Sequence, residues 1–199
     1  MRLKYTLLLA CLVTTSCSVN RQKFKKKFNE SMAIILKDSV LKSLHTKSSI
    51  LIILNRISAH SMIKKDYKIL SLQQKKWIAI QYFVKDAFTS NENRFDYNEA
   101  KLDNNIGDSI FQIFTKNKFW KIKDIDNGCK ENEYRNTHNS CTSGGSASNF
   151  EIILIRKLKI STKNYFNPIF YETECCPGNK DRQIFIKCFN AVNSLFPPP

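Results

Sequence analysis

Between Phe150 and Ile160, the apolar residues Phe150, Ile152, Leu154, Leu158 and Ile160 recur at alternating positions. A period of two puts them on one face of an extended chain, which makes this the clearest strand in the sequence. A strand with one apolar face needs a partner strand and a covering layer. Ser161 to Asn164 reads as a turn, and Tyr165 to Glu174 as the returning strand. Pro168 in that return removes a ladder donor, which places it at an edge or a bulge. The covering layer is supplied by residues 181–196, where Ile184, Cys188, Ala191 and Leu195 form one helical stripe and Phe185, Phe189, Val192 and Phe196 an adjacent one. So wide an apolar face belongs against a sheet or another helical layer. Pro197 to Pro199 end it. Phe119 to Ile125 reads as a further strand, and Asp108 as the cap of a short helix through Ile110, Ile113 and Phe114.

The first half reads differently. Phe24, Phe28 and Met32, followed by Leu36, Val40, Leu41 and Leu44, fall at helical spacings. Ile50, Ile53, Leu54 and Ile57 stand at i, i+3, i+4 and i+7, which favours a second helix capped by Ser48 or Ser49, although the run Ile50 to Leu54 also suits a strand. Ser71 and Gln74 have capping-box spacing, and Trp77, Ile80, Val84 and Phe88 would be the buried face of a third helix. Asn91 to Asn105 is polar and reads as a linker. The expected fold is α+β: a helical N-terminal half packed with a small antiparallel sheet and closed by a C-terminal helix. No internal repeat is visible.

The N-terminus carries an address. MRLKYTLLLACLVTTSCS begins with Arg2 and Lys4, continues with an apolar run from Tyr5 to Val13, and ends in small residues and Cys17. This is the layout of a secretory signal, too short to span a bilayer. Thr14-Thr15-Ser16-Cys17 resembles the lipobox of bacterial lipoproteins, with Ser16 fitting the position before the cysteine and Thr14 at the place where that family carries an aliphatic residue. The resemblance covers this stretch alone. It implies cleavage before Cys17 and lipid attached to that residue, enough acyl chain for stable anchoring. Choosing Leu8-Leu9-Ala10-Cys11 instead leaves an apolar core of only Tyr5 to Ala10; an ordinary signal peptide cut after Ser16 is the other alternative. The implied organisation is a signal peptide over 1–16, a lipid-anchored basic tether over 17–27 and a single globular domain over 28–199. The implied location is the cell envelope, anchored to the outer membrane and facing the periplasm.

Charge follows from that address. The chain carries +15, and losing residues 1–16 removes Arg2 and Lys4 and no acid, leaving +13. An excess of this size suits nucleic acid or an anionic surface. In an exported protein, an anionic lipid surface is the better partner and nucleic acid a poor one. AT-rich coding, which gives a Lys-, Asn- and Ile-rich composition, explains the excess better still. Arg21, Lys23, Lys25, Lys26 and Lys27 lie directly after the anchor, within reach of headgroups, where each adds about 1 kcal/mol of attraction.

An oxidising compartment makes bridges the default for the mature cysteines Cys129, Cys141, Cys175, Cys176 and Cys188. The expected pairs are Cys129–Cys141 and Cys176–Cys188, with Cys175 left over. Asn127 to Asn149 is the longest apparent loop, and Asn127, His138, Ser143, Gly144 and Gly145 mark it as a candidate binding surface for a protein partner. Cys129, His138 and Cys141 lack the paired spacing of a zinc site. Asp124-Ile125-Asp126-Asn127-Gly128 lacks the later ligands of a calcium loop. With three histidines, no Gly-x-Ser-x-Gly elbow, no Gly-rich phosphate loop and no cofactor fingerprint, no catalytic residue, metal or cofactor is assigned. The expected function is non-enzymatic binding or structural support at the envelope. The alternatives are a hydrolase acting on cell wall or an imported substrate, and an inhibitor or immunity protein.

Overall fold

The computed structural model describes residues 38–58, 63–85, 94–126, 128–129, 148–157 and 159–197. The chain divides into two compact units, residues 1–46 and 47–199. In the first, helix α1 (Ser39–Lys47) is capped by Asp38, whose Oδ1 accepts the N–H groups of Val40 (3.0 Å) and Leu41 (3.2 Å).

The second unit is built on seven strands: β1 (Ile50–Ser58), β2 (Ile63–Gln73), β3 (Lys76–Lys85), β4 (Arg94–Lys101), β5 (Ile125–Asp126), β6 (Ser148–Arg156) and β7 (Lys159–Phe166). They form one sheet in the order β4-β3-β2-β1-β6-β7-β5, antiparallel throughout except where β5 pairs parallel to β7. Helix α2 (Asn104–Lys116) joins β4 to a 3₁₀ turn at Phe119–Lys121, and helix α3 (Lys180–Asn193) follows β7 after helical turns at Pro168–Phe170 and Tyr171–Cys175.

This corrects the expected helical N-terminal half. Residues 50–58, 63–85 and 94–101 are four strands of a mixed sheet, with helices interleaved around it. The apparent helix at Ile50–Ile57 is β1, the central strand. Leu51 and Ile53 are buried on one face, Ile52 and Leu54 on the other. A strand buried on both faces reads as an unbroken apolar run, and such a run satisfies helical spacing by default. The supposed capping box at Ser71–Gln74 lies in the β2–β3 hairpin, which turns through Gln74 (φ 48°) and Lys75 (φ 64°) between paired Gln73 and Lys76. Two consecutive left-handed residues are the signature of a type I′ turn, made here without the usual Asn-Gly. The supposed linker contains β4 and the start of α2.

Further along, Phe150–Ile160 is two strands, because the chain reverses at Lys157 (φ 55°) and Arg156 pairs with Lys159. The expected return over Tyr165–Glu174 is strand only to Phe166; Pro168 starts a helical turn, where its fixed φ and missing donor cost nothing. Phe119 and its neighbours form a 3₁₀ turn rather than a strand. The C-terminal helix is present as α3, capped by Asn179, whose Oδ1 accepts the Arg182 N–H at 3.1 Å.

Helices α2 and α3 cover one face of the sheet. Ile52, Leu54, Leu70, Trp77, Ile152, Leu154 and Tyr165 from the strands meet Ile110 and Phe114 of α2 and Phe185, Cys188, Phe189 and Val192 of α3. Tyr165 and Phe185 stack with ring centres 4.3 Å apart, and Phe114 meets Phe119 edge-on at 5.1 Å. Each such side chain contributes about 1.5–3 kcal/mol by leaving water. Gly107 lets α2 lie directly on Trp77, since a Cβ there would fall inside the indole, and Trp77 Nε1 donates to Asp108 Oδ1 at 2.8 Å. Among the described residues no helix is long and apolar enough to cross a membrane.

Candidate binding site

The chain leaves the sheet after β5 through Gly128-Cys129 and returns at Ser148, the first residue of β6. Segment 130–147 runs between these two roots and, with Asn127, lies outside the described residues. Of the candidate loop residues, Asn127, His138, Ser143, Gly144 and Gly145 all fall there, as does Cys141. Cys17 and the tether residues Arg21, Lys23, Lys25, Lys26 and Lys27 also lie outside. What the structure describes is how both roots are held.

The outgoing root is clamped by Arg182, a fully buried cation in the first turn of α3. Its Nε donates to Asp126 Oδ2 at 2.6 Å, one terminal nitrogen to the Cys176 carbonyl at 3.1 Å, and the other to the Gly128 carbonyl at 3.0 Å. The planar fork thus reads one carboxylate and two carbonyls at fixed angles, which an ammonium cannot do. Glu172 stands 3.7 Å from the guanidinium, and its Oε1 accepts from Gly178 N–H (2.8 Å) and Gln183 Nε2 (2.6 Å). Tyr171 lies over Gly128, where φ is +107° and a Cβ would meet the ring at 2.7 Å. Only glycine fits there.

A disulfide completes the clamp, and it corrects the expected pairing. Cys129 is bonded to Cys176, with Cα atoms 5.8 Å apart. Cys129–Cys141 and Cys176–Cys188 therefore do not form. Arg182 holds both the Gly128 and Cys176 carbonyls, which brings the two cysteines together, whereas Cys188 faces the core of α3. Cys175 and Cys188 are both buried. Burial among apolar side chains pushes the Cys188 thiol up to about 12, so it stays protonated and unreactive.

The returning root is simpler. Asn167, left-handed at φ 38°, accepts the Ser148 N–H on its side-chain oxygen at 2.9 Å and donates its own N–H to the Ser148 carbonyl at 2.9 Å. A second buried cation, Lys163, secures the strand approach to the clamp: its Nζ donates to the Ile122 carbonyl (2.6 Å) and to Asp124 Oδ1 (2.8 Å). Asp124 and Asp126, which opened the calcium-like run, thus face Lys163 and Arg182 respectively. Among the described residues no three of His, Cys, Asp and Glu converge as metal ligands. Beside the clamp, Ile125 and Ile169 are about half exposed, at 56% and 47%.

Arg182 was open to sequence reasoning. It continues the Phe185, Phe189, Val192 stripe one turn toward the N-terminus, and a cation in phase with an apolar stripe calls for a buried partner. A second feature had no such signal. On the sheet face away from α2 and α3, Tyr97, Tyr82, Tyr67, Asn55, Glu151, Asn164 and Ile125 stand opposite one another across all seven strands. This row crosses a face whose neighbouring row is Ile80, Ile69, Ile53 and Ile153. Tyr67 and Tyr82 stack at 6.0 Å, and Asn55 Nδ2 donates to Glu151 Oε2 at 3.2 Å. Burial raises the Glu151 carboxyl above its ordinary value, and the Asn55 hydrogen bond only partly offsets it. Tyr97 is pushed up to about 12 by burial and by its hydrogen bond to Glu99. The row exists only once the register is known.

The sequence matches no protein-family model, and no curated protein matches it.

Proposed function

We propose that this chain is a lipid-anchored cell-envelope protein that works by binding a partner protein at the clamp end of its sheet. The reading of the anchor rests on the secretory layout ending at Cys17, which carries the lipid, with the domain on the periplasmic side of the outer membrane. The reading of the binding role rests on one observation: both roots of segment 130–147 are rigidly held, the outgoing one by a buried arginine and a disulfide. Binding segments are most precise when a rigid scaffold presents them. The half-exposed Ile125 and Ile169 beside the clamp supply apolar contact of the kind that partner surfaces use.

Two experiments test it. Cys17→Ala is expected to lose acylation and to be released from membranes by high salt, where the acylated parent stays bound; unchanged acylation or salt-resistant association would overturn the anchor. A photo-reactive residue at Ile169 is expected to give one discrete cross-linked species in envelopes, and the same residue at exposed Gln112 on α2 none. Equal cross-linking from both positions, or none from Ile169, would overturn the binding site.

A further inference from the structure

The end of the sheet opposite the clamp is strongly cationic. There the β2–β3 turn places Lys75 and Lys76, β4 ends at Lys101 opposite Ile78, and the β6–β7 turn carries Arg156, Lys157 and Lys159. The five lysines are exposed. Trp120 sits beside them, 38% exposed, with the Arg156 guanidinium 5.0 Å from its ring centre. The acids near this end, Glu99, Asp103 and Asp108, each accept a hydrogen bond within the fold: Glu99 from the Tyr97 hydroxyl at 2.8 Å, Asp103 from the Asn105 N–H at 2.7 Å and Asp108 from the Trp77 indole. Asp66, Asp126, Glu151, Glu172 and Glu174 lie toward the other end. Arg56, Lys65, Lys85 and Arg94 stand toward that other end as well, so what marks this end is its five exposed lysines beside Trp120.

This is also where the chain enters the unit. Ser49 N–H donates to the Leu72 carbonyl (2.9 Å), and its carbonyl accepts the Lys157 N–H (3.3 Å), so the first residues of the unit lie at its cationic end.

We infer that this end is a docking surface for anionic phospholipid headgroups. Lysines reach phosphates while their stems lie along the surface, and a half-exposed tryptophan at a cationic rim suits the membrane–water boundary. Each cation near an anionic surface adds about 1 kcal/mol of attraction, roughly a fivefold gain in partitioning, and salt screens it. The inference deepens the anchored-protein reading, since a tethered domain meets the headgroups at high effective concentration.

The test uses the unlipidated mature chain (residues 17–199, Cys17→Ala), so that it does not depend on acylation. Vesicles of phosphatidylcholine containing phosphatidylglycerol are compared with pure phosphatidylcholine. The expected result is salt-sensitive binding to the anionic vesicles with a blue shift of tryptophan emission, which reports Trp120 because Trp77 is buried. Replacing Lys76, Lys101, Lys157 and Lys159 by Gln is expected to weaken binding at least tenfold with circular dichroism unchanged. A control with Gln at Arg21, Lys23, Lys25, Lys26 and Lys27 keeps the blue shift. Equal binding to neutral vesicles, an unaffected quadruple variant, or loss of the blue shift in the tether control would each overturn the proposal. Cys17 acylation is measured separately, so failure of the anchor leaves a distinct signature.

Discussion

Replacing Arg182 by Met keeps the volume of the side chain and removes its charge and five donors. The structure sets the consequence. Asp126, whose side chain is only 12% exposed, loses the partner at 2.6 Å, and the Gly128 and Cys176 carbonyls lose theirs. Breaking a buried pair from one side costs about 3–5 kcal/mol, because the remaining charge is left uncompensated. Against a total stability of about 5–15 kcal/mol, that is a large fraction. For a chain of this size each kcal/mol moves the melting temperature by about 2–4 °C, so Arg182→Met is expected to melt roughly 6–20 °C lower. Arg182→Lys is expected to behave nearly as badly, since one ammonium cannot satisfy a carboxylate and two carbonyls that diverge around a planar fork. Adding Asp126→Leu to Arg182→Met should recover about 1–2 kcal/mol by removing the stranded charge. Thermal and urea unfolding read all three. A loss below about 2 °C for Arg182→Met, or a parent-like Arg182→Lys, would refute the clamp as a stabilising element.

Three further outcomes follow from the same geometry. Cys129→Ala with Cys176→Ala opens a bridge of sequence separation 47, which the chain-entropy relation values at about 4 kcal/mol; urea midpoints of oxidised, reduced and mutant chains should show a loss of that order. Gly107→Ala would raise helix propensity by about 1 kcal/mol but drive a methyl into the Trp77 ring, so a net loss of about 2 kcal/mol or more is expected, and a stabilised variant would contradict the described packing. For Glu151, burial raises the folded-state value, so the folded chain binds that proton more readily than the unfolded one. Stability from this group therefore falls as pH climbs from the ordinary carboxylate value through the raised one. Glu151→Gln should match the parent near about pH 4 and exceed it near about pH 7, with denaturation midpoints across that range as the check.

The parts of the fold that sequence made legible are those with a single buried face. α3 announced itself through two adjacent stripes, and α2 through Ile110, Ile113 and Phe114. β1 to β4 were misread because β1 is apolar on both faces and because Gln74-Lys75 turns the chain without glycine. The β6–β7 turn was hidden inside an alternation that continues on both sides of it. In the clamp a disulfide was expected and one is present, but the partner of Cys129 depended on Arg182 gathering two carbonyls from distant segments. The polar row from Tyr97 to Asn164 is a product of register alone, and no local pattern encodes it.

The proposal that lipid on Cys17 holds the chain at the envelope is tested most directly by the mass of the intact protein extracted from membranes. The predicted species begins at Cys17 and carries the added mass of its acyl chains. A chain beginning at Cys17 without lipid, or one still carrying residues 1–16, would contradict it.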